Sequence, residues 1–382
     1  MSLSLGVISQ TQKLVVFTFA TLIYAIASEK LAIVQLPENN VAVWVFSFIL
    51  YDFLYYWFHR FSHQINFLWA SHVIHHQSEE YNLTTALRQT SSSVMVWLFY
   101  IPSFILGIPA EVFFVSGALN LIYQYWVHTQ LIGKLGWFES IFVTPSHHRV
   151  HHGQNEVYID KNHGGVFILW DKLFGTFQEE LSDEEVVYGV RRPVHSFNPL
   201  WANIHTWASL ATDAVRTEKW MDKMKIWFMP TGWRPADVEK SHPIVKQSSE
   251  KQTKYNPTSE PFVKYYAVYQ YFMCVLSGVI FIQFAGSIGW SEKMFYWIVI
   301  TAPLVSVGLL MEGRSYAVKL ELARLLLTAS VLLGDFVVLS NSGLMIISVY
   351  LIISLAFLLI ARFMSKTQPL SSSVKLSNSY DQ

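Results

Sequence analysis

Cysteine is almost absent from this chain of 382 residues: Cys274 is its single cysteine, and it lies in an apolar run. A single cysteine excludes an intrachain disulfide as well as cysteine-based zinc and iron–sulfur sites. Basic and acidic residues number 27 each, so the formal net charge is zero and gives no indication of nucleic-acid binding. The chain also lacks a glycine-rich nucleotide or flavin fingerprint, so any electrons that it uses must come from outside.

Charged residues are scarce as well, at 14% of the chain, whereas soluble domains have about 25%. Apolar residues reach 52% and aromatic residues 16%. The apolar residues form long runs, several of about 17 to 25 residues, and runs of this length fit membrane-spanning helices. We therefore predict an all-α integral membrane protein that folds as a multi-span helical bundle.

Changes in composition divide the chain into six segments. The first apolar run is followed by a Ser-Glu-Lys sequence without a signal-peptidase site, so we expect it to remain as an anchor. Tryptophans among lysines predict helices in the headgroup layer, and the Pro-, Ser-, Lys- and Glu-rich stretch after them predicts a linker. The predicted segments are an N-terminal membrane anchor (1–40), a membrane-embedded core (41–196), interfacial amphipathic helices (197–229), a linker (230–262), C-terminal transmembrane helices (263–364) and a disordered tail (365–382).

The distribution of basic residues predicts the orientation of these segments in the membrane. Lysine and arginine are nearly absent from the predicted loops around Lys30 and Lys293, but they crowd the segment 128–264 and the short loop with Arg314 and Lys319. By the positive-inside rule, the basic segments are cytoplasmic. This topology places both termini and every clustered histidine on the cytoplasmic side.

Histidine is the residue that this chain has in unusual density. Three motifs recur: H-x-x-x-H from His59, then H-x-x-H-H from His72 and again from His148. Residues three or four apart share one face of a helix, so each motif presents its imidazoles in one direction. An isolated histidine is most often satisfied by a hydrogen bond, whereas three such motifs indicate a metal site. Eleven of the 14 histidines belong to the two dense groups, namely His59, His63, His72, His75 and His76, then His128, His147, His148, His151, His152 and His163.

The number of histidines restricts the kind of metal site. Imidazole suits zinc, copper, iron and nickel alike, but a structural zinc needs only four ligands and the three motifs supply eight histidines. Eight neutral nitrogens are enough for two metal ions with open positions, which favours oxygen activation by a di-iron centre. The alternative is a membrane metal transporter or a metal-storage protein. A transporter would place its ligands near the bilayer midplane on broken helices, whereas these histidines follow the ends of apolar runs.

The sequence around the motifs resembles the fatty acid hydroxylase and sterol desaturase superfamily of membrane di-iron enzymes, and most closely its alkylglycerol monooxygenase branch. The resemblance covers roughly residues 45–180 and implies that the segment 41–196 is a di-iron hydroxylase core. It is carried by the stretches HRFSH (59–63), ASHVIHHQSEEYNLTTALRQ (70–89), TPSHHRVHHGQN (144–155) and YIDKNHGGVFILWDKLFGTF (158–177).

The resemblance also implies which residues bind iron. The histidine in the sequence W-V-H-T resembles an additional ligand between the second and third motifs of the family. Ile132 stands where many members of the superfamily repeat a histidine, so the number of ligands of one iron stays open. The implied iron ligands are His59, His63, His72, His75, His76, His128, His148, His151 and His152.

Five further residues are predicted to act beside the ligands. Asp52 precedes the first ligand by seven residues on the same helical face, where its carboxylate can orient that imidazole through the second ring nitrogen. The alternative for this carboxylate is pairing with an arginine for folding. Asn82 and Arg88 follow the second motif and are expected to bind a headgroup or to orient ligands. His147 and His163 are predicted to donate hydrogen bonds near the ligands or to line a substrate pocket.

The activity implied by the resemblance is that of a non-haem di-iron monooxygenase. It would hydroxylate the carbon next to the ether oxygen of an alkylglycerol, and the hemiacetal would collapse to a fatty aldehyde and a glycerol derivative. The implied partners are a lipid substrate, dioxygen, the membrane and an external electron donor, which is tetrahydrobiopterin in that family. The alternative within the superfamily is a hydroxylase or desaturase of a sterol, a carotenoid or a fatty acyl chain. The expected location is the endoplasmic reticulum in a eukaryote or the inner membrane in a bacterium.

Overall fold

The computed structural model describes residues 1–89, 96–244, 248, 252–333 and 341–367. These residues form helices and turns, and their β-structure is limited to isolated bridges. The prediction of an all-helical chain is therefore confirmed. The helices are α1 Ser2–Leu31, α2 Val41–Gln64, α3 Asn66–His76, α4 Val96–Phe99, α5 Ile101–Ile105, α6 Ala110–Trp126, α7 Pro145–His152, α8 Leu169–Leu173, α9 Pro199–Arg216, α10 Trp220–Lys225, α11 Ala236–Ser241, α12 Pro261–Phe284, α13 Trp290–Met311, α14 Ala317–Leu333 and α15 Asn341–Thr367.

Three of these helices are long and apolar enough to cross a membrane: α2, α12 and α13. A shorter apolar stretch, Met345–Ile360, lies within α15. An α-helix rises 1.5 Å per residue, so about 20 residues cross a hydrocarbon core of about 30 Å. The chain is accordingly a multi-pass membrane protein, as its composition predicts.

The chain forms two compact units, and the first comprises Met1–Asn256 and Cys274–Thr301. Its apolar core lies where α1, α2, α5 and α6 meet, and the stacked rings of Tyr24 and Phe113, 4.4 Å apart, are at its centre. Gly107 makes the turn between α5 and α6 with φ of 70°, and a Cβ there would lie 1.6 Å from the Val34 carbonyl oxygen. Only glycine fits this turn.

Helices α2 and α3 are separated by one residue, Ile65, whose backbone is extended. The short connection brings the C-terminal half of α2 against α3. Asn66 fixes the start of α3, because its side-chain amide donates to the carbonyls of Ile226 (2.9 Å) and Trp233 (3.1 Å) and accepts from the Gly232 N–H (2.9 Å). The segment after α10 is thereby attached to the histidine-bearing helices.

The segment predicted as interfacial contains α9 and α10. Exposed apolar side chains on α10 and the turn after it, Trp220, Met224 and Phe228, lie among the basic residues of the same segment. The first part of the predicted linker is folded, since it contains α11 and since Arg234 forms an ion pair of 2.6 Å with Asp213 on α9. The placement of α9 and α10 in the headgroup layer stays a prediction.

The second unit comprises Pro257–Met273 and Ala302–Gln382. A polar network lies among its apolar helices: Arg324 pairs with Glu321 at 2.5 Å, and Tyr266 donates to the same carboxylate. Gln270 donates to Ser354 at 2.9 Å and ties α12 to α15. The predicted disordered tail, 365–382, begins inside α15, and residues 368–382 lie outside the described part of the chain.

Replacing Asn66 by Ala should lower the stability of the first unit. The substitution removes three hydrogen bonds at a buried position, each worth about 0.5 to 1.5 kcal/mol, and leaves two carbonyls and one N–H without this partner. Thermal unfolding of the detergent-solubilised protein should show a lower midpoint than for Asn82→Ala, which changes an exposed turn residue. Equal midpoints for the two variants would refute the role of Asn66.

Candidate metal centre

Histidines from four parts of the first unit meet at one buried place. They come from the ends of α2 and α3, from the residues that follow α6, and from α7. Within the described part of the chain their ring nitrogens form two groups, in each of which one nitrogen per residue lies within 4.8 Å of all the others. The five-histidine group is His59, His63, His72, His76 and His151, and the four-histidine group is His75, His128, His148 and His152.

The helical period explains how the motifs divide between the groups. At about 100° per residue, positions i and i+4 differ by about 40° around the axis, whereas neighbouring positions differ by about 100°. Each H-x-x-H-H motif therefore gives its i, i+4 pair to one group and its middle histidine to the other. Helix α3 contributes two residues to the five-histidine group and one to the four-histidine group, and α7 does the reverse.

The five-histidine group has the connectivity of a square pyramid. The rings of His59, His72, His76 and His151 form a closed cycle with centroid distances of 4.7, 5.0, 4.8 and 4.4 Å. The ring of His63 packs against all four, at 5.3, 5.1, 4.6 and 4.8 Å. His63 is thus the apex, and the group can offer a metal ion five nitrogens and one position free of histidine.

The four-histidine group is a second closed cycle. The rings of His75, His128, His148 and His152 follow one another at 5.1, 4.3, 4.8 and 4.5 Å. Among the residues that the structure describes, no fifth histidine joins this group. The two groups border each other, because the rings of His76 and His152 stack at 4.4 Å. The two groups are therefore adjacent, but one offers five histidines and the other offers four.

The distances between ring nitrogens fit shared metal ions. The Nε2 atom of His72 lies 3.1 Å from the Nε2 atoms of both His59 and His76, and Nε2 of His128 lies 3.2 Å from that of His75 and 3.0 Å from that of His148. Two imidazoles bound to one metal at about 2.1 Å and at right angles have nitrogens about 3.0 Å apart. One proton on His72 cannot serve both neighbours at once, so hydrogen bonds alone do not satisfy these atoms.

Oxygen acceptors on the far side of several rings fix which nitrogen faces the group. The Nδ1 atoms of His59, His128 and His151 donate to the backbone carbonyls of residues 163, 124 and 161, at 2.8, 2.8 and 2.9 Å. The Nδ1 atom of His63 lies 3.4 Å from a carboxylate oxygen of Asp160. Each carbonyl acceptor holds the proton on Nδ1 of its histidine and leaves the Nε2 lone pair for a metal.

The histidines are neutral as well as oriented. Burial, reinforced by neighbouring histidines, lowers the pKa of His72, His75, His76, His148 and His152 well below the usual range. Neutral imidazole is the form that binds a metal ion.

Several buried ring nitrogens in the groups have no hydrogen-bond partner, among them Nε2 of His63, His151 and His152. Each unpaired buried nitrogen costs about 1 to 3 kcal/mol, and a bound cation would remove this cost. The residues therefore fit two metal ions.

Asp52 does not contact His59, so the predicted direct hydrogen bond between the two is wrong. Its carboxylate is buried and accepts from the N–H groups of Val166 (2.8 Å) and Phe167 (3.0 Å), from Trp170 Nε1 (2.9 Å) and from an asparagine amide. The two residues share a helical face, but seven residues separate them by about 10 Å along the axis. An arginine partner, the alternative reading of this carboxylate, is also absent from these contacts.

Three other residues that the sequence predicts near the ligands, Asn82, Arg88 and His147, belong to neither histidine group. Asn82 is exposed and accepts from Thr84 in a turn, away from the rings. Arg88 is buried and donates to the carbonyl of Ile74 at 2.9 Å, so it holds the last turn of α3. His147 packs against Phe177 at 5.6 Å and belongs to neither group.

His163 is fully buried beside the five-histidine group, with its ring 5.0 Å from that of His63. Neither of its ring nitrogens has a hydrogen-bond partner. Burial, reinforced by the neighbouring His59, lowers the pKa of His163 well below its usual range. Its carbonyl oxygen, the acceptor for His59, has no signal in the sequence, because every residue has a carbonyl.

Comparisons with known proteins agree with this geometry. The fatty acid hydroxylase family model matches residues 44–176, which include all nine histidines of the two groups. Alkylglycerol monooxygenase of Homo sapiens is 36% identical over 332 residues, which cover 85% of this chain and 73% of the relative. The Caenorhabditis elegans enzyme of that name is 31% identical over 379 residues, covering 92% and 74%.

A more distant relative matches a smaller part of this chain. Ornithine lipid hydroxylase of Rhizobium tropici is 30% identical over 135 residues, which cover 35% of this chain and 41% of the relative. No solved structure matches the chain. The family model, the long relatives and the histidine groups agree, and this chain, an oxygenase, belongs to the alkylglycerol monooxygenase family.

Proposed function

We propose that this protein binds two iron ions in its histidine groups and cleaves the ether bond of alkylglycerols. The observation that carries the proposal is the division of nine histidines, eight buried and His72 partly buried, into two adjacent groups whose nitrogens are spaced as metal ligands. The similarity to alkylglycerol monooxygenases over 85% of the chain supports the substrate class, because it extends well beyond the histidine core.

Iron is the metal that we favour. The ligands would be the five histidines around His63 and the four around His128. Zinc binds nitrogen ligands more tightly than ferrous iron in the general affinity order, so zinc found in a purified sample would not exclude iron in the cell. When bound, iron would supply the activation of dioxygen that the hydroxylation requires.

The reaction balances with an external two-electron donor. A carbon–hydrogen bond next to the ether oxygen becomes a carbon–hydroxyl bond, and the second oxygen atom leaves as water after taking up two electrons and two protons. The hemiacetal then breaks its bond to the former ether oxygen and gives a fatty aldehyde and a glycerol hydroxyl. The chain has no nucleotide or flavin fingerprint of its own, so the donor would be external. We propose a tetrahydropterin, because the resemblance to the alkylglycerol monooxygenase family implies that donor.

The surrounding residues would serve this chemistry by excluding water and by fixing the ligands. All nine histidines lie inside the first unit, and backbone carbonyl groups orient three of them. Two of the ligands, His59 and His63, stand near the end of α2, a long apolar helix, so the site would lie near the level of the lipid headgroups. A carbon close to glycerol is within reach at that level, whereas the far end of an alkyl chain is not.

We further propose that the site faces the cytoplasm, because basic residues crowd the segments around it. The enzyme would then lie in the endoplasmic reticulum of a eukaryote or in the inner membrane of a bacterium. The lipid would enter from the bilayer with its headgroup toward the histidines.

Incubation of iron-loaded protein with dioxygen, a tetrahydropterin and an alkylglycerol should release a fatty aldehyde. A free fatty acid and a sterol of similar size, tested in parallel, should give little product. Products are identified by mass spectrometry after trapping of the aldehyde. Oxidation of the sterol or of a remote chain carbon, with the ether intact, would favour the other hydroxylases of the superfamily.

Replacing His63, His75 or His151 by Ala should abolish turnover, because each substitution removes one nitrogen from a group. The fold should persist, since the membrane helices are held by apolar contacts. His242→Ala is the matched control, as His242 is exposed and outside both groups. Comparable activity of the control and of the three variants would contradict the ligand assignment.

A further inference from the structure

We infer that two buried carboxylates, Asp52 and Asp171, act together as a clamp that positions the ligand His59 through the loop 163–167. The inference rests on the metal centre of the proposed function and deepens it. Neither carboxylate touches a histidine ring of the two groups. Both act on backbone groups of the loop, which supplies the oxygen that orients His59.

One end of the loop is held by Asp171. Its carboxylate accepts from the N–H of His163 at 2.7 Å, from the N–H of Gly164 at 2.8 Å and from the hydroxyl of Thr176 at 2.7 Å. Burial raises the pKa of Asp171 to about 6, against the effect of these three donors. Asp171 thus fixes the loop backbone at the N–H groups of His163 and Gly164.

The carbonyl of that same residue accepts the Nδ1 proton of His59 at 2.8 Å. The other ring nitrogen, Nε2, faces His72 at 3.1 Å inside the five-histidine group. A change in the direction of the carbonyl would therefore turn the imidazole or move its proton. Partners of this kind typically change metal affinity by about 10 to 100-fold when they are removed.

The other end of the loop is held by Asp52, which accepts from the N–H groups of Val166 and Phe167. Asp52 lies on α2, the same helix as His59. These hydrogen bonds therefore fix the position of the loop relative to the helix that carries His59. Trp170 connects the two carboxylates, because its indole donates to Asp52 at 2.9 Å and the next residue in the sequence is Asp171.

Two glycines make room for the carboxylates. A Cβ on Gly164 would lie 3.0 Å from an oxygen of Asp171 and 2.6 Å from the Phe167 carbonyl oxygen, and a Cβ on Gly165 would lie 2.8 Å from an oxygen of Asp52. Neither glycine has a positive φ. They are required for close approach and not for an unusual backbone conformation.

The test is iron retention by the full chain, loaded with ⁵⁷Fe(II) without oxygen and challenged with a ferrous chelator. Asp171→Asn keeps one acceptor oxygen but turns an amide NH₂ toward a backbone N–H, so it should release one of the two ions about 10 to 100-fold faster. The retained ion should have the Mössbauer spectrum of the ion retained in His59→Ala, and a different spectrum from that retained in His152→Ala.

Asp213→Asn is the matched control, because it also changes a buried carboxylate but one that pairs with Arg234 outside the loop. It should lower stability without favouring loss of either ion. Asp52→Asn is the second clamp variant and should reproduce the selective loss if Asp171→Asn does not fold. Release of both ions together, retention of both as in the unmodified protein, or a retained ion that matches His152→Ala would overturn the clamp. Failure of the unmodified protein to bind iron would instead refute the proposed function.

Discussion

Nine imidazoles lie side by side, eight of them buried, and their inner nitrogen lone pairs need a hydrogen-bond donor or a cation. The rest of the structure depends on this requirement. Protonation does not meet it, because burial and neighbouring charge depress the pKa of those outside the membrane helix. Hydrogen bonding meets it only on the outer side of several rings, where carbonyls take the Nδ1 protons. The inner nitrogens lie 3.0 to 3.2 Å apart in several pairs, which is the spacing of ligands around one cation.

Short connections between helices bring the histidines together, and the loop 163–167 orients one of them. A single residue between α2 and α3 brings two motifs together, and Asn66 ties this junction to the segment after α10. The helical period then divides each H-x-x-H-H motif between two groups, so that one centre receives five histidines and the other four. The oxygen acceptors form a layer around the rings. An enzyme that activates dioxygen benefits from such a layer, because it keeps each ligand in one orientation.

Much of this could be predicted from the sequence. Apolar runs predict the helices, and the three motifs mark eight of the nine histidines that the structure groups. The family resemblance implies the ninth, His128. The division into five and four was not predicted, because it depends on how α3 and α7 face each other. The contact predicted for Asp52 is wrong for a similar reason: its helical face is correct, but its partners lie 68 to 118 residues later in the sequence. The carbonyl that orients His59 cannot be predicted from the sequence, because every residue has a backbone carbonyl.

Anomalous diffraction at the iron edge, from crystals of the iron-loaded protein, tests the central claim most directly. The account predicts two peaks per chain, one inside the five-histidine group and one inside the four-histidine group. It also predicts that the two irons differ in the number of histidine ligands. A single peak, or two peaks of which one lies outside these groups, would contradict the account.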